Sequence, residues 1–436
     1  MGVDDVDAAV AAAFREERAQ VVATLIRLTG DWDLAEECTQ DAFAKALEHW
    51  RREGVPRRPG AWLTMTARNR AFDRLRRDAV GAAKLKEAVV MRGSEVPPDP
   101  DFDESGVEDD RLRLIFTCCH PALVLEARVA LTLRTVAGLT TPQIARAFLV
   151  PEAAMAQRLV RAKRKIRNAG IPFRVPPAHL LPERTTGVLG VLYLLFNEGY
   201  AASEGDDVIR QNLSAEAIRL ARVLADLMPD EPEAIGLWSL MTLHDSRRST
   251  RADEAGELIT LEHQDRSRWN RDQIDRATTA LEAALRRGRP GPYQVQAAIA
   301  ACHATAADWE STDWPQIAAL YGELARMVPS AVVALNRAVA TGLADGPEAG
   351  LALADELESG GELNDYHLLH ATRAELLTRL GRTEEAEYAY AKALELVTNN
   401  AERHHLERRR AENTQRSTAP RPSQSPPNPE KAPDQP

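Results

Sequence analysis

The sequence predicts an all-α fold. Apolar residues recur at spacings of three and four through nearly every segment, Ala and Leu are abundant, and no run alternates in the manner of a strand. Two interruptions divide the helices into three blocks: Glu95–Asp110, with eight acids and three prolines, and Ile171–Pro177, with three prolines. At 436 residues the chain is long enough for each block to bury its own core.

The first block covers residues 10–80. In DWDLAEECTQDAFAKALEHW, Asp33 and Glu36 have the spacing of an Asp-type capping box, so a helix starts there. Its apolar side carries Ala42, Phe43, Ala46, Leu47 and Trp50. Glu37, Asp41 and Glu48 share another side, and such a run of acids alone reads as a solvated face. RRPGAWLTMTARNRAFDRLRR follows, from Arg57 to Arg77, with seven arginines and one acid in a chain of net charge -10. At 100° per residue, Leu63, Met65, Ala67, Ala71, Phe72 and Leu75 form a broad apolar arc, with Thr66, Asn69, Arg70, Asp73, Arg76 and Arg77 opposite. Arg68 projects nearer the arc, where its stem can snorkel. Trp62 falls on the polar side. There it is either a flat face for an unpaired base, worth about 1–3 kcal/mol beside arginines that hold phosphates, or a core residue in the first turn.

Residues 81–110 are expected to form an acidic linker, whose stretch Glu95–Asp110 no helix core can use. The second block, 111–172, contains AGLTTPQIARAFLVPEAAMAQRLVRAKRKIR, from Ala137 to Arg167. Thr141 caps a helix with Pro142 at its first position, Leu149-Val150-Pro151 interrupts it, and Glu152 starts another: a helix-turn-helix. In the second helix Met155, Leu159, Ala162 and Ile166 make an apolar stripe, with Arg158, Arg161 and Lys165 beside it and Lys163, Arg164 and Arg167 adding charge. This geometry suits a major groove, with bases met near the N-terminus, where Glu152 and Gln157 lie, and phosphates held further along.

The third block covers residues 178–410. Its apolar segment GVLGVLYLLFNEGYAAS reads as a buried helix ending at a glycine cap. LLHATRAELLTRLGRTEEAEYAYAKALELVTNN fits a tetratricopeptide repeat, with Ala374, Ala386, Tyr390 and Ala393 at the packing positions. Pro229 and Pro329 close two earlier segments about three repeat lengths of ~34 residues apart. Stacked repeats offer a concave surface for a regulatory protein or peptide. Residues 411–436, rich in Pro, Ser and Gln, cannot offset the entropy of ordering and are expected to be disordered.

Other chemistry is poorly represented. Cys118-Cys119-His120 diverge by 100° per residue and lack a second CxxC or HxxxH, so no metal and no cofactor is expected. A thiol sensor at Cys118 or Cys119 is a minor alternative. Phosphate-loop, dinucleotide and zinc-protease motifs are missing, so the chain is not read as an enzyme. Four scattered cysteines, an acidic start and no apolar run near ~20 residues point to a cytoplasmic protein without a membrane segment.

The two blocks, in this order and separated by an acidic linker, resemble the extracytoplasmic-function sigma factors of bacterial RNA polymerase, over roughly Phe14 to Arg167. The resemblance implies that Glu37, Asp41, Phe43 and Leu47 meet the β′ clamp helices of core RNA polymerase. Arg68, Asn69, Arg74, Arg76 and Arg77 would line the -10 strand of promoter DNA, with Trp62 near a flipped base. Glu152, Gln157, Arg158, Arg161 and Lys165 would serve the -35 element in a domain that also meets the β flap, and the acidic linker would thread toward the RNA exit path. The family commonly has a glycine in the turn where this chain has Phe148-Leu149-Val150-Pro151. A subgroup of the family carries a tetratricopeptide-like C-terminal extension, and the segment with Asn197, Glu198 and Tyr200 resembles one found there. In that subgroup these residues would join the extension to the sigma domains, and the extension would regulate the factor, as inhibitor or as required part. Two other classes of function remain open at this stage. One is a helix-turn-helix regulator with a solenoid sensor; the other is a repeat scaffold binding RNA or an acidic partner.

Overall fold

The computed structural model describes residues 3–87, 110–148, 150–201, 208–251, 259–398 and 400–418. Among these the regular structure is helical throughout, with eighteen α-helices and no strand. Of the expected linker, residues 81–87 are helical and Asp110 is described, while residues 88–109 lie outside the described residues, as does Leu149 of the turn. The chain divides into two compact units: Met1–Asp245 with Glu282–Arg287, and Ser246–Leu281 with Gly288–Pro436.

The first unit begins with three mutually packed helices, α1 (Val3–Thr29), α2 (Trp32–Glu53) and α3 (Pro59–Glu87). The spacing of Val6, Val10, Ala13, Val21, Val22, Leu25 and Ile26 puts one buried stripe along α1. The cap of α2 is Asp31 rather than Asp33: its carboxylate accepts from the backbone N–H groups of Asp33 and Leu34 at 2.9 and 3.0 Å. The backbone of α3 stays helical past Arg77 and residue 80, so the first block outruns its expected end.

Next come α4 (Asp110–Cys118), α5 (Leu125–Leu131), a π-helical turn (Thr132–Ala137), α6 (Thr141–Ala147) and α7 (Glu152–Asn168). Thr140, one residue before the expected cap, closes a capping box with Gln143. The extension starts with α8 (Leu181–Ala201), α9 (Val208–Leu227) and α10 (Pro232–Asp245). Val188, Leu189, Val191, Leu192, Leu195 and Phe196 of α8 are at most 3% exposed. At about 1.5–3 kcal/mol each, that burial explains why the helix runs through Gly199 to Ala201 instead of ending at the glycine.

The second unit holds most of α11 (Arg271–Leu285), then α12 (Pro292–Thr305), α13 (Trp314–Met327), α14 (Ala331–Ala344), α15 (Pro347–Gly360), α16 (His367–Arg379), α17 (Thr383–Leu396) and α18 (Asn400–Thr418). From α12 to α18 each helix packs on the next. Ala374, Ala386, Tyr390 and Ala393 are 0–2% exposed in one core with Leu406 of α18. At the α14–α15 crossing, a Cβ on Gly350 would sit 2.6 Å from the Gly342 Cα, so only glycine permits that approach. Helix α18 continues to Thr418, eight residues into the stretch expected to be disordered. Leu406 and Asn413 are buried against the last repeat, and Arg409 binds Glu375 at 2.6 Å, so these contacts order the segment.

Candidate nucleic-acid interface

The α2–α3 hairpin turns its acids and arginines toward each other. Arg70 binds Asp41 at 2.8 Å and Arg74 is ion-paired with Glu37, so two acids expected to meet a partner are also intramolecular partners of α3. Both pairs are 38–50% exposed and remain reachable from solvent. Phe43 is 6% exposed and edge-on to Phe14 at 5.1 Å, a core position, whereas Leu47 is exposed.

The apolar arc expected for α3 is rotated in the structure. Leu63, Ala67 and Ala71 are buried, but Met65 and Leu75 are exposed and Phe72 is half-buried. Trp62 is half-buried too, stacked with His49 at 5.4 Å and edge-on to Trp50 at 5.6 Å. Arg68, Asn69, Arg76 and Arg77 are exposed, and the Arg68 guanidinium lies 5.5 Å from the Phe72 ring centre.

In α7 the buried stripe is Met155, Leu159, Ala162 and Ile166, as the spacing required. Glu152, Gln157, Arg161 and Lys165 are exposed and Arg158 half-buried, which leaves one basic side of the helix turned to solvent. A different side of α7 faces α2. Lys163 binds Asp33 at 2.8 Å and Glu36 at 3.1 Å, and a cleft of about 340 Å³ opens between Asp33, Glu36, Arg134, Val160, Lys163 and Arg167.

This seam went unseen in the sequence. Glu36, 6% exposed, also meets Arg134 at 3.2 Å and receives the Thr135 hydroxyl at 3.4 Å. The π-helical turn supplies both residues, and the Thr135 carbonyl accepts from buried Arg18 at 2.7 Å. Burial pulls the Arg18 guanidinium down to about 10. Gly138 sits beside it at φ +83, and a Cβ there would lie 3.0 Å from Arg18 Cδ. Asp110, the last acid of the linker, is buried and binds Arg27 and Thr24 of α1 at 3.0 and 3.1 Å. Partners that lie 83 to 130 residues apart leave no local signal, so Asp33 and Glu36 resembled a cap and Asp110 an ordinary linker acid.

The extension joins the helix-turn-helix block through Arg184, which donates to the Phe116 carbonyl at 2.8 Å where α8 packs on α4 and α5. Tyr200 instead donates to the His244 carbonyl at 3.2 Å, within the extension, and stacks on Phe196. Asn197 and Glu198 are half-buried, and Asn197 hydrogen-bonds Tyr193, also in α8. Cys118 and Cys119 are buried; burial pushes the Cys119 thiol up to about 11 and the Cys118 thiol well above its usual value. Among the described residues no three His, Cys, Asp or Glu side chains are grouped to hold a metal, and no helix is long and apolar enough to cross a membrane.

Comparisons with known proteins assign families to three segments of the chain. Residues 13–80 match the model for sigma-70 region 2, residues 113–166 that for sigma-70 region 4, and residues 184–285 a family of unknown function (DUF6596). The chain is 46% identical to the uncharacterized protein R00370 of Rhizobium meliloti (strain 1021), over 88% of this chain and 91% of that one. It is 31% identical to the ECF RNA polymerase sigma factor SigK of Mycobacterium sp. (strain KMS), and equally to SigK of strain JLS, over 38% of this chain and 83% of each relative. No solved structure matches the chain. With both sigma regions in order, followed by a helical extension, the chain belongs to the extracytoplasmic-function family of sigma-70 factors.

Proposed function

We propose that this chain binds core RNA polymerase, recognises the -35 and -10 elements of a promoter and initiates transcription, under control of its own C-terminal extension. The observation that carries the reading is the α7 face: an exposed basic side beside a fully buried stripe, behind a helix hairpin whose outer side is also basic. Such a pair of surfaces suits one duplex element and one melted element. Core polymerase would meet the outer edge of α2 at Glu37, Asp41 and Leu47. The -10 strand would lie along Arg68, Asn69, Arg76 and Arg77, and the -35 element against Glu152, Gln157, Arg158, Arg161 and Lys165.

Direct packing of α8 on the helix-turn-helix block supports control by contact, with Arg184 rather than Tyr200 at the joint. A protein or peptide on the later repeats belongs to the same proposal. The test is promoter-specific transcription by core polymerase with the full chain and with a chain ending after Asp245. Activity of the full chain alone makes the later helices a required part, and activity of the shorter chain alone makes them an inhibitor. Failure of the full chain to bind core polymerase removes the sigma reading.

A further inference from the structure

The outer face of α3 carries more apolar surface than a phosphate-binding helix needs. Met65 is 64% exposed, and Phe72, two turns along the same side, is half-buried. Asn69 and Arg76 lie on that side with them, and the Arg68 guanidinium covers one face of the Phe72 ring at 5.5 Å. The opposite side is fully used: Leu63, Ala67 and Ala71 are buried, and Arg70 and Arg74 are ion-paired to α2. Trp62, the aromatic residue with the most obvious stacking potential, is engaged with His49 and Trp50.

We propose that Met65 and Phe72, not Trp62, are the apolar contacts that hold the unpaired promoter strand on α3. The occupant follows from charge and shape. Arg68, Arg76 and Arg77 supply cations for a phosphate backbone, Asn69 supplies an amide that can pair with an exposed base edge, and base faces need flat or soft apolar partners between them. A duplex keeps its base faces stacked inside and offers Met65 nothing comparable. The Arg68 plane over Phe72 extends the platform, since guanidinium planes also stack on bases. This assignment rests on the sigma reading.

The test uses the full chain bound to core polymerase and two probes of equal length, a mixed-sequence single-stranded DNA and the corresponding duplex. Met65→Ala, Phe72→Ala and the double variant are compared with Trp62→Phe, and each is checked for core binding and thermal stability. The double variant is expected to lose about tenfold in single-strand affinity with less than twofold loss on duplex, because stacking is worth that much and needs free base faces. Its salt dependence should match that of the unmodified chain, whereas Arg76→Ala should flatten it, because only lost phosphate contacts change counterion release. Met65→Ala, at an exposed position, gives the same direction without risk to the fold. Trp62→Phe should lose neither affinity. Unchanged single-strand affinity in the double variant overturns the proposal, as does equal loss on both probes. Loss of core binding would reassign the face to a protein contact and overturn it too. If the unmodified chain neither binds core polymerase nor any DNA, the sigma reading itself falls, which is a distinct outcome.

Discussion

At the scale of single residues, environment decides which chemically apt groups are available. Trp62 has the right ring in the right stretch, yet its contacts with His49 and Trp50 make it part of the packing between α2 and α3. Trp62→Ala should therefore destabilise the first block by about 2–4 kcal/mol, somewhat below the cost for a fully buried tryptophan. Core binding and promoter opening would then fall together, which denaturation and binding measurements on one variant would reveal; opening lost with core binding intact would contradict this. Arg158 is half-buried in the N-terminal half of α7, beside the exposed basic side proposed to meet the upstream element. Arg158→Ala should weaken recognition of the upstream element by ~1–3 kcal/mol in a competition assay, while uniform loss on all DNA would make it a phosphate contact. The buried Cys118 and Cys119 thiols are raised by desolvation, so neither supplies thiolate near neutrality. Both should resist alkylation at pH 8 in the folded chain and react once it is unfolded. Because their folded values lie above the unfolded value of ~8.5, stability is retained below that pH and declines as pH rises toward 11.

Individual helices were more legible than their orientations. The all-α fold and the order of the blocks follow from periodicity, which is local, and the buried stripe of α7 matches its spacing residue for residue. The arc of α3 did not: the wheel placed Arg70 on the polar side, and the family resemblance placed Arg74 on the promoter strand. They face inward to Asp41 and Glu37, 29 and 37 residues away, and this turns Met65 and Phe72 toward solvent. Phe43 lies on the apolar side that the spacing gave it: the family resemblance put it against the polymerase clamp, but α1 supplies Phe14 to cover it. The joint between α8 and the helix-turn-helix block has the same long-range character, since Arg184 reaches a carbonyl 68 residues back. It carries an expectation at this scale. A chain ending near Pro176 removes α8 from the side of α4 and α5, and should lower the melting temperature of the helix-turn-helix block. A chain ending after Asp245 keeps α8 to α10 together and should preserve it. Equal melting temperatures for the two would show that α8 adds no support.

Within the first unit as a whole, the two surfaces proposed to meet promoter DNA are close together. Arg74 pairs with Glu37, Glu37 stands one helical turn from Asp33, and Asp33 binds Lys163, so the basic end of α3 and the middle of α7 are separated by roughly 25 Å. Even Trp62, about 18 Å further along α3, leaves the span well below the roughly 85 Å of B-form DNA between elements centred at -10 and -35. If these surfaces read the two elements as proposed, the described arrangement meets one at a time, and reading both requires the seam to part. Its strongest tie is Glu36, whose buried carboxylate answers Arg134, Lys163 and Thr135 together. Removing one partner of a buried ion cluster costs about 3–5 kcal/mol, while an exposed partner such as Asp33, with 73% side-chain exposure, is worth under about 1 kcal/mol. Glu36→Gln should therefore separate the two regions, seen as a longer distance between fluorophores placed on α1 and α7, and should raise affinity for a duplex carrying both elements. Asp33→Asn should change either quantity little. Salt at 1 M should also leave the unmodified chain docked, because buried pairs are screened far less than surface ones. A Glu36→Gln chain with an unchanged distance would place the hold elsewhere in the seam, on Arg18 and the Thr135 carbonyl or on Arg27 and Asp110.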